Sequence, residues 1–270
     1  MYPGSGPSDR DNDVYFPPIR QHLLGAGVAV CSFDKRGIGG STGRWQEAGI
    51  LEQADDVLAC LAALSSDHVV PKPVGLFGHS QGGWVVIEAA GRVPEIAFVA
   101  ANSGPGVTPG RQERYAHSKY LAARGVTAAE MPQALEPYDE LMSALRRGGV
   151  FRAARKQFAM GQLPDVYRRR ELILFPDNEE FWDFLQLVFD YEPRLALERI
   201  RVPVLALFGA EDPLVPVNES AAVYREAVRP ELLTLEVFPR ADHRIQTGEP
   251  PAFADRYFET LASFVADAIT

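Results

Sequence analysis

Cysteine is scarce. Two residues in a chain of 270 cannot form a disulfide framework, so an apolar core has to hold the fold together. Cys31 falls in the apolar run 28–33 and Cys60 in the run 57–61, and both read as small core residues. Basic charge is in deficit as well. The 27 Lys and Arg residues against 36 Asp and Glu leave a net charge of −9, and no Lys/Arg stripe offsets it. Nucleic acid and anionic membrane surfaces are therefore poor candidate partners. Arg168, Arg169 and Arg170 form the densest basic group, which is short enough to read as a solvated helix face. No apolar run reaches the roughly 18 residues of a membrane span. The first residues lack the basic-then-apolar pattern of a secretory leader, so the expectation from this chain favours the cytoplasm while leaving secretion or the periplasm open. His-Glu-x-x-His, paired Cys-x-x-Cys and phosphate-loop patterns are missing too, so no metal or cofactor is implied.

Apolar segments alternating with amphipathic ones fill most of the chain. Strand-like runs occupy Val28 to Phe33, Val74 to Phe77, Ile96 to Ala101, Val204 to Phe208 and Leu233 to Phe238. Most are continuous rather than alternating, as strands covered on both faces should be. Helical periodicity fits Pro17 to Ala26, Gly49 to Ser65, Gln81 to Arg92, Asn218 to Val228 and Ala252 to Ile269. This predicts an α/β fold, a doubly wound and mainly parallel sheet, from residues 1–106 and 200–270. Between 107 and 199 the alternation breaks, leaving helical patterns at Ala116 to Arg124, Glu136 to Arg147, Phe151 to Met160 and Glu179 to Phe189. That stretch is expected to be a helical lid, its many aromatics packing mostly against one another and a few of them lining a pocket.

The chemistry centres on Gly78-His79-Ser80-Gln81-Gly82, a G-x-S-x-G pattern lying between a strand-like run and a helical one. Such a turn strains the serine backbone and brings the residues two before and two after it too close together for side chains. The strain pushes the hydroxyl clear of the sheet and leaves the next N–H, that of Gln81, pointing the same way. A serine is a poor nucleophile until a base, itself oriented by a third group, takes its proton. Five histidines are available. His79 is turned away from its neighbour's hydroxyl and should pack beneath the turn, His22 lies on an early helix, His68 in a polar loop and His117 in the lid. His243 follows the run Leu233 to Phe238 at a C-terminal strand end, where ligands bind in open α/β sheets. Asp212 occupies the corresponding position after Val204 to Phe208, stiffened by Pro213, with Glu211 and Asp242 as rival carboxylates.

The order Ser80, Asp212, His243 resembles the α/β-hydrolase superfamily over most of the chain. Asp34-Lys35-Arg36-Gly37-Ile38-Gly39-Gly40-Ser41 is similar to the superfamily's D-x-R-G-x-G-x-S turn. Residues 4–11 are similar to the G-S-G-P-x-D-R-D loop of bacterial serine esterases related to the dienelactone-hydrolase and prolyl-oligopeptidase branches. The resemblance implies that Ser80 attacks, His243 moves the proton and Asp212 orients His243. It also implies that the N–H groups of Gln81 and of Ser5, or a residue beside it, hold the oxyanion, while Asp9, Arg10 and Asp11 brace their loop by ion pairing. A serine at 80 argues against haloalkane dehalogenases and epoxide hydrolases, which would require an aspartate there.

That superfamily places three strands before its oxyanion loop, whereas here the loop begins at residue 4. The expectation is therefore an N-terminally incomplete form of a longer hydrolase, whose preceding segment could carry a leader for secretion or the periplasm. The rival expectation is that 28–33 shifts to pair directly beside 74–77. The function expected is hydrolysis of a small-molecule carboxylic ester or related acyl bond through an acyl-serine intermediate, a thioesterase or peptidase being possible with the same residues. The alternative from another class is a non-catalytic ligand-binding or inactive relative.

Overall fold

The computed structural model describes residues 1–66, 73–159, 163–175 and 178–269, the side chains of 65–66 and 157–159 excepted. His68, Pro71, Lys72 and Met160, and the Phe158 side chain, lie outside it. The described residues divide into two compact units, 1–107 with 192–270 and 108–191.

The first unit is built on a parallel sheet of β1 (Val74–His79), β2 (Ile96–Asn102), β3 (Val204–Gly209) and β4 (Leu233–Phe238), in that spatial order. Register runs Phe77 to Ala100, Ala100 to Leu205 and Leu205 to Thr234. On one face α1 (Phe16–Gly25) and α11 (Tyr257–Ile269) close over Phe77, Phe98, Ala100, Leu205 and Leu207 in one buried cluster. On the other, α3 (Gln81–Ala90) packs on β1 and β2, and α10 (Val217–Ala227) on β3 and β4. Outside α3 lie α2 (Ile50–Ser66) and α9 (Pro193–Arg199). Alternate residues of a strand face opposite ways, so β3 has to be apolar throughout, and all six of its residues are buried. The apolar runs read from the sequence as strands at 74, 96, 204 and 233 are these four.

The fifth run is not. Residues 28–33 belong to no strand, and they do not pair beside 74–77. That place is taken by the first residues of the chain. Tyr2 bridges Gly78 in parallel, donating its N–H to the Phe77 carbonyl at 2.8 Å and accepting from His79 at 3.1 Å. The terminal amine of Met1 in turn donates to the Cys31 carbonyl at 2.6 Å. Backbone hydrogen bonding, not apolarity, defines a strand, and among the described residues 28–33 has no ladder of backbone hydrogen bonds to a neighbouring strand. Cys31 is accordingly exposed and Cys60 only partly covered, against the expectation that both are core residues. The C-terminal helix also starts later than its periodicity suggests. Ala252–Phe253 pairs antiparallel with Gln246–Thr247 before α11 begins at Tyr257.

The second unit is helical: α4 (Pro109–Ala123), α5 (Met131–Arg146), α6 (Phe151–Ala159), α7 (Asp165–Arg169) and α8 (Glu179–Val188). Thr108 caps α4 by accepting from the Arg111 N–H, and Asn178 caps α8 by accepting from Phe181, each satisfying an N–H that the first turn leaves without a partner. Its aromatics pack together, Phe151, Phe175 and Phe181 around the fully buried Trp182. Arg168 and Arg169 pair with Asp165 at the surface, and Arg169 also with Glu130. The unit ends at Tyr191, earlier than the boundary at 199 read from the sequence, because α9 packs on α3 and α10 of the first unit. No described helix is long and apolar enough to cross a membrane.

Candidate active site

The β1–α3 junction is a sharp turn. Ser80 sits at φ 55° and ψ −122°, a region that costs of order 1–3 kcal/mol for a non-glycine residue. Its N–H is held by the Asn102 carbonyl of β2 at 2.9 Å, and its carbonyl accepts from Gly83 at 2.8 Å. Glycine is required on both sides. A Cβ on Gly78 would lie 2.1 Å from the Gly82 carbonyl oxygen, and one on Gly82 would lie 2.4 Å from that of Tyr2. Gly82→Ala is therefore expected to destabilise the protein by about 1–3 kcal/mol, the usual range for overpacking. A thermal melt checks this, and an unchanged midpoint would show that the turn can relax. The Gln81 N–H lies in the first turn of α3, where it has no intrahelical acceptor.

The ends of β3 and β4 are joined just beyond the sheet. The Ala210 N–H donates to Phe238 and the Glu211 N–H to Ala241, both at 2.9 Å, and Gly209 passes so near the Asp242 carbonyl oxygen that a Cβ would stand 2.0 Å from it. This brings His243 and Asp212 together, with Nδ1 of the imidazole 2.7 Å from Oδ2 of the carboxylate. The other oxygen, Oδ1, accepts from the N–H groups of Leu214 and Val215 at 2.7 and 2.9 Å. The Asp212 carboxylate is wholly buried, while the His243 side chain keeps 13% exposure. The two rival carboxylates are placed otherwise. Glu211 is exposed, and Asp242 closes its own turn by accepting from Arg244 and Gln246 at 2.8 and 2.9 Å.

His79 links this pair to the serine turn. Its ring centroid is 5.1 Å from that of His243, and its Nε2 is 3.4 Å from the His243 carbonyl oxygen. Nδ1 lies 2.9 Å from Nδ2 of buried Asn12. The amide N–H groups of Asn12 can only donate, so Nδ1 accepts and Nε2 carries the proton. Burial, followed by the charge of His243, holds the His79 pKa well below its ordinary value. Burial also lowers His117, stacked on Tyr138 at 4.1 Å in the helical unit, to about 4. Below the ordinary histidine value of about 6.5 the unfolded chain takes up these protons before the folded one does, so both groups make stability fall as the pH drops. The melting temperature of His79→Phe should accordingly fall less between pH 7 and pH 5 than that of the wild type, and equal slopes would show that His79 titrates freely. His22 stacks on Phe258 at 4.7 Å, distant in role from the turn.

The first loop lies against the same turn. A Cβ on Gly4 would stand 3.6 Å from the Ser80 Cβ, and the Gly4 N–H donates to Asn12 Oδ1 at 3.1 Å. Ser5 is exposed, and its carbonyl accepts from the Ser8 hydroxyl at 2.9 Å. Arg10 grips Asp34 through Nε at 3.0 Å and Nη2 at 2.6 Å, holding that carboxyl well below the usual range, and Asp11 pairs with Arg20 at 2.6 Å. Beneath the His243 loop, Asn102 donates to the Tyr15 hydroxyl at 3.0 Å and accepts from Tyr257 at 2.7 Å, while Tyr15 donates to the Arg244 carbonyl at 2.7 Å. Asn12, Asn102 and Lys35 were not singled out from the sequence. A buried polar residue in a loop or at a strand end has no periodicity to mark it.

A parallel sheet flanked by helices, with a strained serine at a strand–helix junction, defines an α/β-hydrolase fold. Residues 14–251 match the family Hydrolase_4, described as serine aminopeptidase, S33, and the chain belongs to it. Among solved structures, an esterase of Pyrococcus furiosus is 21% identical, covering all of this chain and 82% of that one with a TM-score of 0.62. A monoacylglycerol lipase of Paleococcus ferrophilus is 22% identical, covering 99% of this chain and 93% of that one with a TM-score of 0.57. At such identities the likeness concerns the fold. The bifunctional biotin-biosynthesis protein BioHC of Cellvibrio japonicus is 25% identical over 219 residues, 77% of this chain. The chain spans only 39% of the length of that curated relative.

Proposed function

We propose that the protein is a serine hydrolase that cleaves carboxylic esters through an acyl-serine intermediate, with Ser80, His243 and Asp212 as its triad. Two observations support this reading: Ser80 sits on a strained strand–helix turn, and Nδ1 of His243 is engaged by a buried carboxylate. With Nδ1–H donated to Asp212, Nε2 is left with its lone pair and accepts the Ser80 proton as Oγ attacks the acyl carbon. The oxyanion that forms takes hydrogen bonds from the Gln81 and Ser5 N–H groups, each worth about 3 kcal/mol in a comparable hydrolase. His243 then protonates the leaving alcohol, and water activated by the same imidazole releases the acid. In this reading the insertion at 108–191 serves as the lid. The loop at 4–11 favours the branch of dienelactone hydrolases and prolyl oligopeptidases.

The family description names an aminopeptidase, so cleavage of an aminoacyl amide is the second reading. A panel of p-nitrophenyl esters and aminoacyl p-nitroanilides separates the two, together with a fluorophosphonate probe for the reactive serine. Ester turnover with labelling at Ser80 is the expected result. Turnover of the anilides alone would favour the peptidase, and no turnover with no labelling would overturn both.

A further inference from the structure

Lys35 is only 2% exposed, and the proposed chemistry has not used it. It follows Asp34 in the turn after residues 28–33, and the two side chains serve the same loop from opposite ends. Asp34 holds Arg10, while the Lys35 ammonium donates to the Gly4 carbonyl and, at 3.1 Å, to Oε1 of Gln81. Its Nζ stands 5.5 Å from the centre of the Tyr2 ring. Among the described residues no carboxylate pairs with it, and burial alone pulls its pKa down to about 7. Burying an ammonium without a counter-charge is costly, so this lysine is poorly explained as a stabilising feature.

Its two acceptors are what give it a role. The Gly4 carbonyl and the Ser5 N–H belong to one peptide unit, which is planar and trans. Fixing the carbonyl oxygen therefore fixes the direction of the N–H on the other side of the plane. The Gly4 N–H is held as well, by Asn12 Oδ1 at 3.1 Å, so the backbone is gripped on both sides of Gly4. The second acceptor is the side chain of Gln81, the residue whose N–H follows the nucleophile. One ammonium thus touches both residues from which the oxyanion donors come.

We propose that Lys35 is a positioning residue for the oxyanion site, locking the Gly4–Ser5 peptide plane against the Ser80–Gln81 turn so that both N–H groups point to where negative charge develops. This rests on the serine-hydrolase reading given above. Lys35 touches no reacting atom, and its contribution belongs to the transition state rather than to substrate binding.

The test compares wild type with Lys35→Met, which keeps the length of the side chain and removes its donors. Both are assayed with a p-nitrophenyl ester and with a trifluoromethyl ketone that forms a reversible tetrahedral adduct on the serine. The expected result is a kcat lowered by about 10²–10³, as for loss of an oxyanion donor, a KM within about threefold, and weaker ketone binding by a factor similar to that in kcat. A purely structural lysine would instead change KM, or lower the fraction of active enzyme titrated by fluorophosphonate while leaving kcat per active site intact, and either outcome overturns the proposal. If Lys35→Met does not fold, Lys35→Gln carries the same comparison, with at least a tenfold loss in kcat expected. Wild type that turns over and binds the ketone, beside a variant that does both equally well, removes Lys35 alone. Wild type that does neither removes the serine-hydrolase reading and this proposal with it.

Discussion

Ser80→Ala is expected to lower ester turnover by roughly 10⁴–10⁶, the scale seen when a triad serine is removed from a serine hydrolase. The substitution deletes one oxygen and leaves the turn otherwise intact. Alanine has no greater difficulty than serine with the backbone at φ 55°, so the melting temperature should stay close to that of the wild type. Residual activity would come from the oxyanion donors and from binding alone. Steady-state kinetics with p-nitrophenyl acetate, alongside a thermal melt, provide the measurement. A variant as active as the wild type would take Ser80 out of the mechanism, whatever its backbone strain.

Asp212→Asn should produce the second large loss, about 10⁴ in kcat, with little change in volume. An amide at this position can keep its oxygen on the Leu214 and Val215 N–H groups, but its nitrogen then donates to Nδ1, which would place the imidazole proton on Nε2. His243 could then no longer accept from Ser80. The rivals supply the control. Glu211→Gln changes an exposed side chain, and Asp242→Asn weakens a turn that holds Arg244 and Gln246, so the first should be silent and the second should mainly lower thermal stability. A loss of kcat in Asp242→Asn as large as in Asp212→Asn would move the acid to the neighbouring loop.

How much of this could be read from the chain depends on how local the physics is. The serine turn was legible because its cause lies within five residues. A Cβ on Gly78 would run into Gly82 across the turn, while the need for glycine at 82 comes in addition from the Tyr2 carbonyl outside it. Strands β1, β2 and β3 were legible because coverage on both faces demands a continuous apolar run, a pattern each of them carries in its own sequence, whereas β4 interleaves Thr234 and Glu236 with its apolar residues. The run at 28–33 carries the same pattern and yet forms no strand, with Ala29 and Cys31 exposed, since strand formation needs a hydrogen-bonded neighbour that apolarity alone does not supply. The neighbour of β1 on the edge away from β2 is Tyr2, more than seventy positions earlier in the chain.

The site divides along the same line. The sequential order of serine, carboxylate and histidine, and the placing of the last two beyond strand ends, follow from alternating strands and helices. What sets Asp212 apart from Glu211 and Asp242 is burial and the direction of backbone N–H groups, and both arise only when β3 and β4 lie side by side. Asn12, Lys35 and Asn102 have no signal of their own in the sequence, because a polar side chain looks the same there whether solvent or the interior receives it. Local sterics and periodicity thus specify the elements and the nucleophile's turn. Packing between distant segments specifies which polar groups are buried together, and with them the chemistry proposed for this site.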